Sequence, residues 1–216
     1  MATFGIFGKI SGMGDFLKRG LTPEFCSHWD SWLQDRLPAA QDRLGARWRA
    51  LYFSAPIWRF HLPAGLIGPA PVMGVIMPSV DRVGREFPLT LAGPAQGQGL
   101  ATHLAADPVF RQLEDAALET LEDGASLDQL EARLKDLAPG DPPVISGGSD
   151  AVLVRGSGAL LPVLAVGRGG GDQEAALWSS QIDGEARLMK TAGLPDLAGF
   201  AALFDPLADI WTGSVA

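Results

Sequence analysis

The run Val72-Met73-Gly74-Val75-Ile76-Met77 constrains the fold most, because it is apolar at every position. A strand with one face in water alternates apolar and polar side chains, so an unbroken run predicts a central strand covered on both faces. Other strands are expected around it. Phe4-Gly5-Ile6-Phe7-Gly8 reads as a short buried strand, and Phe87-Pro88-Leu89-Thr90-Leu91 as another. Ile57-Trp58-Arg59-Phe60-His61-Leu62 alternates, with one face covered and Arg59 and His61 on the other. Residues 151–154, 160–166, 175–178 and 186–190 are further strand candidates between glycine-rich turns, and 167–171 reads as a flexible loop.

Helical signals separate these groups. Thr22-Pro23-Glu24 opens a helix with an N-cap threonine, a proline in the first turn and an acid at the positive end of the dipole. Phe25, Trp29, Trp32, Leu33 and Leu37 share one face of it; Pro38 is expected to end or kink it, and a polar segment, 41–49, follows. Asp107-Pro108 starts a second helix with a Phe110, Leu113, Ala117, Leu121 stripe. Asp123-Gly124 stops it, and Ser126 with Gln129 forms a capping box for a third. A break at 139–143 and a last short helix over 196–204 complete the pattern. Strands, then helices, then strands predict an α/β protein with a mixed central sheet covered on both faces. The 216 residues fit one domain: an N-terminal part of about 1–92, a helical middle, 100–138, and a strand-rich C-terminal part, 150–206.

Charge and cysteine content exclude several classes. The formal charge is −8 with no basic cluster, which leaves no electrostatic footprint for nucleic acid or an anionic membrane. The single cysteine, Cys26, permits no internal disulfide, and no apolar stretch reaches membrane-spanning length. A soluble, intracellular protein is expected.

The most unusual segment is Met77-Pro78-Ser79-Val80-Asp81-Arg82-Val83-Gly84-Arg85-Glu86-Phe87-Pro88, directly after a buried strand. Loops beyond strand ends are where α/β proteins place binding sites. Ser79, Asp81, Arg82 and Arg85 read either as a recognition loop for an acidic group or as an internal ion-pair network pinning the loop. Gly8-Lys9-Ile10-Ser11-Gly12-Met13-Gly14-Asp15-Phe16 resembles a phosphate loop in composition, but the Walker and dinucleotide spacings are absent. A small-ligand or nucleotide site over Lys9 to Asp15 is the alternative function.

Catalytic patterns are missing. His28, His61 and His103 sit in no nucleophile motif, no metal-ligand spacing occurs, and Glu114-Asp115 and Glu122-Asp123 lie on solvated helix faces. No cofactor is expected. Of the six tryptophans, most are core, and a tryptophan–arginine groove including Trp32 is the interface candidate.

Taken in order, these residues resemble the TagF (ImpM) family of type VI secretion-associated proteins. The resemblance rests on Gly5-Ile6-Phe7-Gly8-Lys9, Gly14-Asp15-Phe16 with Arg19, and Phe25 with Trp29, Trp32, Leu33 and Gln34. It continues through Pro56-Ile57-Trp58-Arg59-Phe60, Gly74-Val75 and the long Pro78-Ser79-Val80-Asp81-Arg82-Val83-Gly84-Arg85 block with Phe87-Pro88-Leu89. It returns at Ala176-Leu177-Trp178-Ser179 and Gly193-Leu194-Pro195 with Phe200. The chain departs from the family at Ser179-Ser180, where a tryptophan and a threonine are usual, and at Ile10-Ser11, where a proline is frequent. The resemblance implies a three-layer α/β/α sandwich and a cytoplasmic post-translational regulator, usually a repressor. It also implies contact with secretion components such as a forkhead-associated scaffold protein, without catalytic residues. The candidate partner-binding residues are Arg59, Ser79, Asp81, Arg82, Arg85, Asp15 and Trp32.

Overall fold

A computed structural model describes residues 3–140, 144–148, 151–155, 174–182 and 185–212. Its centre is a seven-stranded sheet in the order β2-β1-β5-β4-β3-β8-β9. The strands are β1 (Gly5–Gly8), β2 (Leu17–Arg19), β3 (Trp58–Leu62), β4 (Val72–Met77), β5 (Leu89–Pro94), β8 (Ala176–Ile182) and β9 (Glu185–Thr191). Two others, β6 (Val144–Gly148) and β7 (Ala151–Arg155), form a separate antiparallel pair.

Every neighbouring pair in the large sheet is antiparallel, which corrects the expectation of a mixed sheet. Parallel neighbours need a crossover, usually a helix, between them. Here β3, β4 and β5 follow one another as a meander, and the helical segments join strands that are not neighbours.

The apolar run forms β4, buried along its whole length. Its side chains divide between two hydrophobic clusters as the strand period requires: Val72 and Ile76 enter one, Met73, Val75 and Met77 the other. The first cluster takes in Phe25, Trp29, Trp32 and Leu33 of α1 (Pro23–Leu44), with Trp48 and Tyr52 of α2 (Trp48–Ser54). The second takes in Val109, Phe110 and Leu113 of α4 (Asp107–Glu119), with Leu130 and Leu134 of α5 (Leu127–Asp136). Short helices α3 (Leu100–Ala105), α6 (Leu197–Ala202) and α7 (Asp209–Thr212) complete the described elements.

The capping signals hold: Thr22 Oγ1 accepts from Phe25 N at 3.2 Å, and Ser126 Oγ from Gln129 N at 3.3 Å. Pro38 does not end α1, which continues through it to Leu44. An interior proline costs a helix roughly 3 kcal/mol. Burying Phe25, Trp29, Trp32 and Leu33 at roughly 1.5–3 kcal/mol each outweighs that cost. The polar segment 41–49 is helical too: it ends α1, passes through a 3-10 turn and enters α2. Phe87 and Pro88 lie before β5, because Phe87 N bonds back to Ser79 O at 3.0 Å. The strand expected at 160–166 and the loop at 167–171 lie outside the described residues.

Candidate functional site

The loop leaving β4 is built around Asp81, whose side chain is fully buried. Asp81 Oδ1 accepts from Val83 N at 3.0 Å and Arg85 N at 2.9 Å; Oδ2 accepts from Lys9 Nζ at 3.1 Å and Arg85 Nε at 2.6 Å. Burial by itself would favour the neutral acid. The Arg85 and Val83 amides, the Lys9 ammonium and the Arg85 guanidinium win, and hold the carboxyl well below the usual carboxylate range.

Further bonds tie down the loop's arms. Tyr52 OH donates to Ser79 O at 2.8 Å and accepts from Ser79 N at 3.1 Å; burial is the main reason its phenol titrates higher than usual. Trp48 Nε1 donates to Glu86 at 2.6 Å, Val80 and Glu86 form an antiparallel bridge, and Arg82 N donates to Met13 O at 3.0 Å. Gly8, at φ 119°, lies so close to this loop that a Cβ there would meet Pro88 O at 2.0 Å. At the turn, Gly84 N donates to Asp81 O at 2.9 Å, with Gly84 at φ 80°, a conformation side-chain-bearing residues disfavour.

The seven candidate residues therefore separate. Ser79 and Asp81 are buried in the brace, and the Ser79 hydroxyl has no hydrogen-bond partner among the described residues. Arg85 binds Asp81 through Nε while its side chain stays 67% exposed. Arg82 and Asp15 are exposed, and Gly14 and Met13 adjoin Arg82, so the glycine-rich turn and the loop do meet. Trp32 does not join them. It is buried against Trp29, Trp178 and Phe200, with Nε1 donating to Pro195 O at 2.9 Å, and is a core residue.

Arg59 is also elsewhere. Its guanidinium binds Glu114 through two nitrogens, at 2.6 and 2.7 Å, and Asp107 through a third at 2.7 Å, and it stacks over Phe110. Glu114, read from sequence as a solvated face, is half of that clamp. The Lys9 ammonium, the one cation of the glycine-rich turn, is committed to Asp81, which removes it from the phosphate-like role its sequence setting suggested.

One arrangement escaped sequence reasoning. His103 Nε2 hydrogen-bonds Ser179 Oγ at 2.8 Å, and Ser179 lines a groove of about 680 Å³ with Arg59, Asp107 and Arg187. The two residues are 76 apart in sequence, so no local motif could signal the pair. The pair is poorly suited to serve as a catalytic dyad. Burial, helped by nearby His61 and Arg59, lowers His103 to about 3, far below the range useful to a general base near neutrality. Among the described residues its Nδ1 has no hydrogen-bond partner, so none of their acids orients the ring. His61 Nε2 donates to Gly97 O at 2.9 Å, and burial lowers it to about 4. Among the described residues, no group of three or more His, Cys, Asp or Glu side chains is placed to hold a metal, and no helix is long and apolar enough to cross a membrane.

Comparisons with known proteins bear on the family of the chain. The family model of the type VI secretion-associated TagF N-terminal domain matches residues 5–137. No curated protein matches the chain. Among solved structures, PA0076 from Pseudomonas aeruginosa PAO1, a crystal structure at 2.05 Å resolution, is 34% identical. It superposes with a TM-score of 0.77 over 99% of this chain and 96% of that one. With well over half of its length matched by the family model and nearly all of it by this structure, the chain belongs to the TagF family of type VI secretion-associated proteins.

Proposed function

We propose that this chain is a non-enzymatic regulator, a repressor, of type VI secretion that acts in the cytoplasm by binding protein components of the apparatus. A forkhead-associated scaffold protein is the partner we expect. The observation that carries this reading is the braced loop over residues 78–88. A loop held by a buried carboxylate, a buried tyrosine and a tryptophan–glutamate bond is rigid before any partner arrives, and preorganisation lowers the cost of binding. What it holds up to solvent is Arg82, Val83 and Arg85, and arginine is a residue type enriched at interfaces. The depressed basicity of His103 supports a role without catalysis. We read the fold as a single three-layer α/β/α domain, supported by the two clusters against the sheet and by β8 and β9 completing it.

The test is genetic. Deleting the gene in its native cell should raise secretion of a marker effector, and restoring the full chain should lower it again. Unchanged secretion on deletion would overturn the regulatory reading.

A further inference from the structure

The tip of the braced loop has a chemistry of its own. Val83 is 70% exposed, the second most exposed large apolar residue described, and sits between Arg82 and Arg85. The Arg82 guanidinium has no ion-pair partner among the described residues. Arg85 spends only Nε on Asp81, and its side chain stays 67% exposed.

The backbone donors of residues 82–85 are all consumed. Arg82 N bonds Met13 O, Val83 N and Arg85 N bond Asp81 Oδ1, and Gly84 N bonds Asp81 O. The turn therefore has none of the free backbone N–H groups that cradle an anion, and a ligand here is met by side chains alone. Two guanidinium forks flanking an apolar side chain instead match side-chain carboxylates placed either side of an apolar contact.

We propose that Arg82, Val83 and Arg85 form an anchor for an acidic segment of a protein partner, with the arginines pairing its carboxylates around the Val83 contact. This rests on the reading of the chain as a protein-binding regulator. Arg82 is the specificity determinant of the anchor, since its charge has no structural duty. Arg85 serves both the brace and the partner.

The experiment places a photocrosslinking amino acid at position 83 of the full chain, in the cells that express it, and maps the crosslinked peptide by mass spectrometry. The expected peptide is rich in Asp and Glu. Arg82→Glu should cut the crosslink by at least about tenfold, because like charges are brought together, and lysine in place of the partner's carboxylate should restore it. Circular dichroism confirms that Arg82→Glu keeps the parent melting temperature. No crosslink, a crosslinked peptide without acidic residues, or a crosslink indifferent to Arg82→Glu overturns the proposal. An acidic segment in a protein outside the secretion apparatus would uphold the anchor and overturn the proposed function instead. Regulation retained by a chain whose tip crosslinks nothing would do the reverse.

Discussion

Replacing Arg59 by alanine removes three charge-assisted hydrogen bonds at once, at 2.6, 2.7 and 2.7 Å, and the stacking over Phe110. At roughly 1.5–3 kcal/mol for each hydrogen bond to a charged group, simple addition would exceed 4 kcal/mol. That sum is an upper bound. The Glu114 and Asp107 side chains stay 23% and 26% exposed, so water rehydrates them once the guanidinium is gone. The expected cost of Arg59→Ala is therefore about 2–4 kcal/mol. Arg82→Ala removes an exposed side chain with no ion-pair partner among the described residues and should stay within about 0.5 kcal/mol of the parent. Urea unfolding of both variants at pH 7 measures the difference, read as a shift in midpoint at constant slope. Equal midpoints, or a larger loss from Arg82→Ala, would refute the division into an internal clamp and a surface residue.

The buried histidines give a pH dependence. Their folded values, about 4 for His61 and about 3 for His103, lie below the ordinary 6.5, so the unfolded chain binds more protons. Their contribution is complete above about pH 6.5 and is lost as pH falls toward 4, at up to about 1.4 kcal/mol per unit for each histidine. His103→Phe should flatten the slope between pH 6 and 4.5 by one proton's worth, and an unchanged slope in paired urea melts would contradict the burial argument. Ser79→Ala should be neutral or stabilising by up to about 1 kcal/mol, because the hydroxyl it deletes is buried without a partner among the described residues; a clear loss in the same melts would reveal one. Gly84→Ala, in open space at φ 80°, should cost roughly 1–2 kcal/mol from backbone strain alone. A cost well beyond that would mean the turn is packed where the structure leaves it open.

Local chemistry made part of this legible in sequence. The apolar run became β4, and the threonine and serine caps sit where their side chains can accept the first free amides, because these signals act within a few residues. Strand direction was not legible, since it depends on which strands become neighbours: β1 pairs with β5 across more than eighty residues. The helix α2 was not legible because only Trp48 and Tyr52 of its seven residues are buried, too few to show as a periodic stripe.

The site divided in the same way. That Arg82 and Arg85 stand near Asp81 follows from adjacency. Lys9 reaches Asp81 from 72 residues away, and Trp32 finds Pro195 from 163 away. Within the loop, buried and exposed residues separate. Asp81 and Lys9 form an internal network, while Arg82 and Val83 face out.

On the proposed function, the braced loop presents Arg82 and Val83 for regulation of secretion. The most direct measurement is effector secretion from cells carrying Arg82→Glu and Val83→Asp together at the native locus, with the melting temperature of the purified variant taken alongside. Secretion should be as deregulated as in the gene deletion, from a protein that melts with the parent. Parent-like secretion from a folded double variant would contradict it.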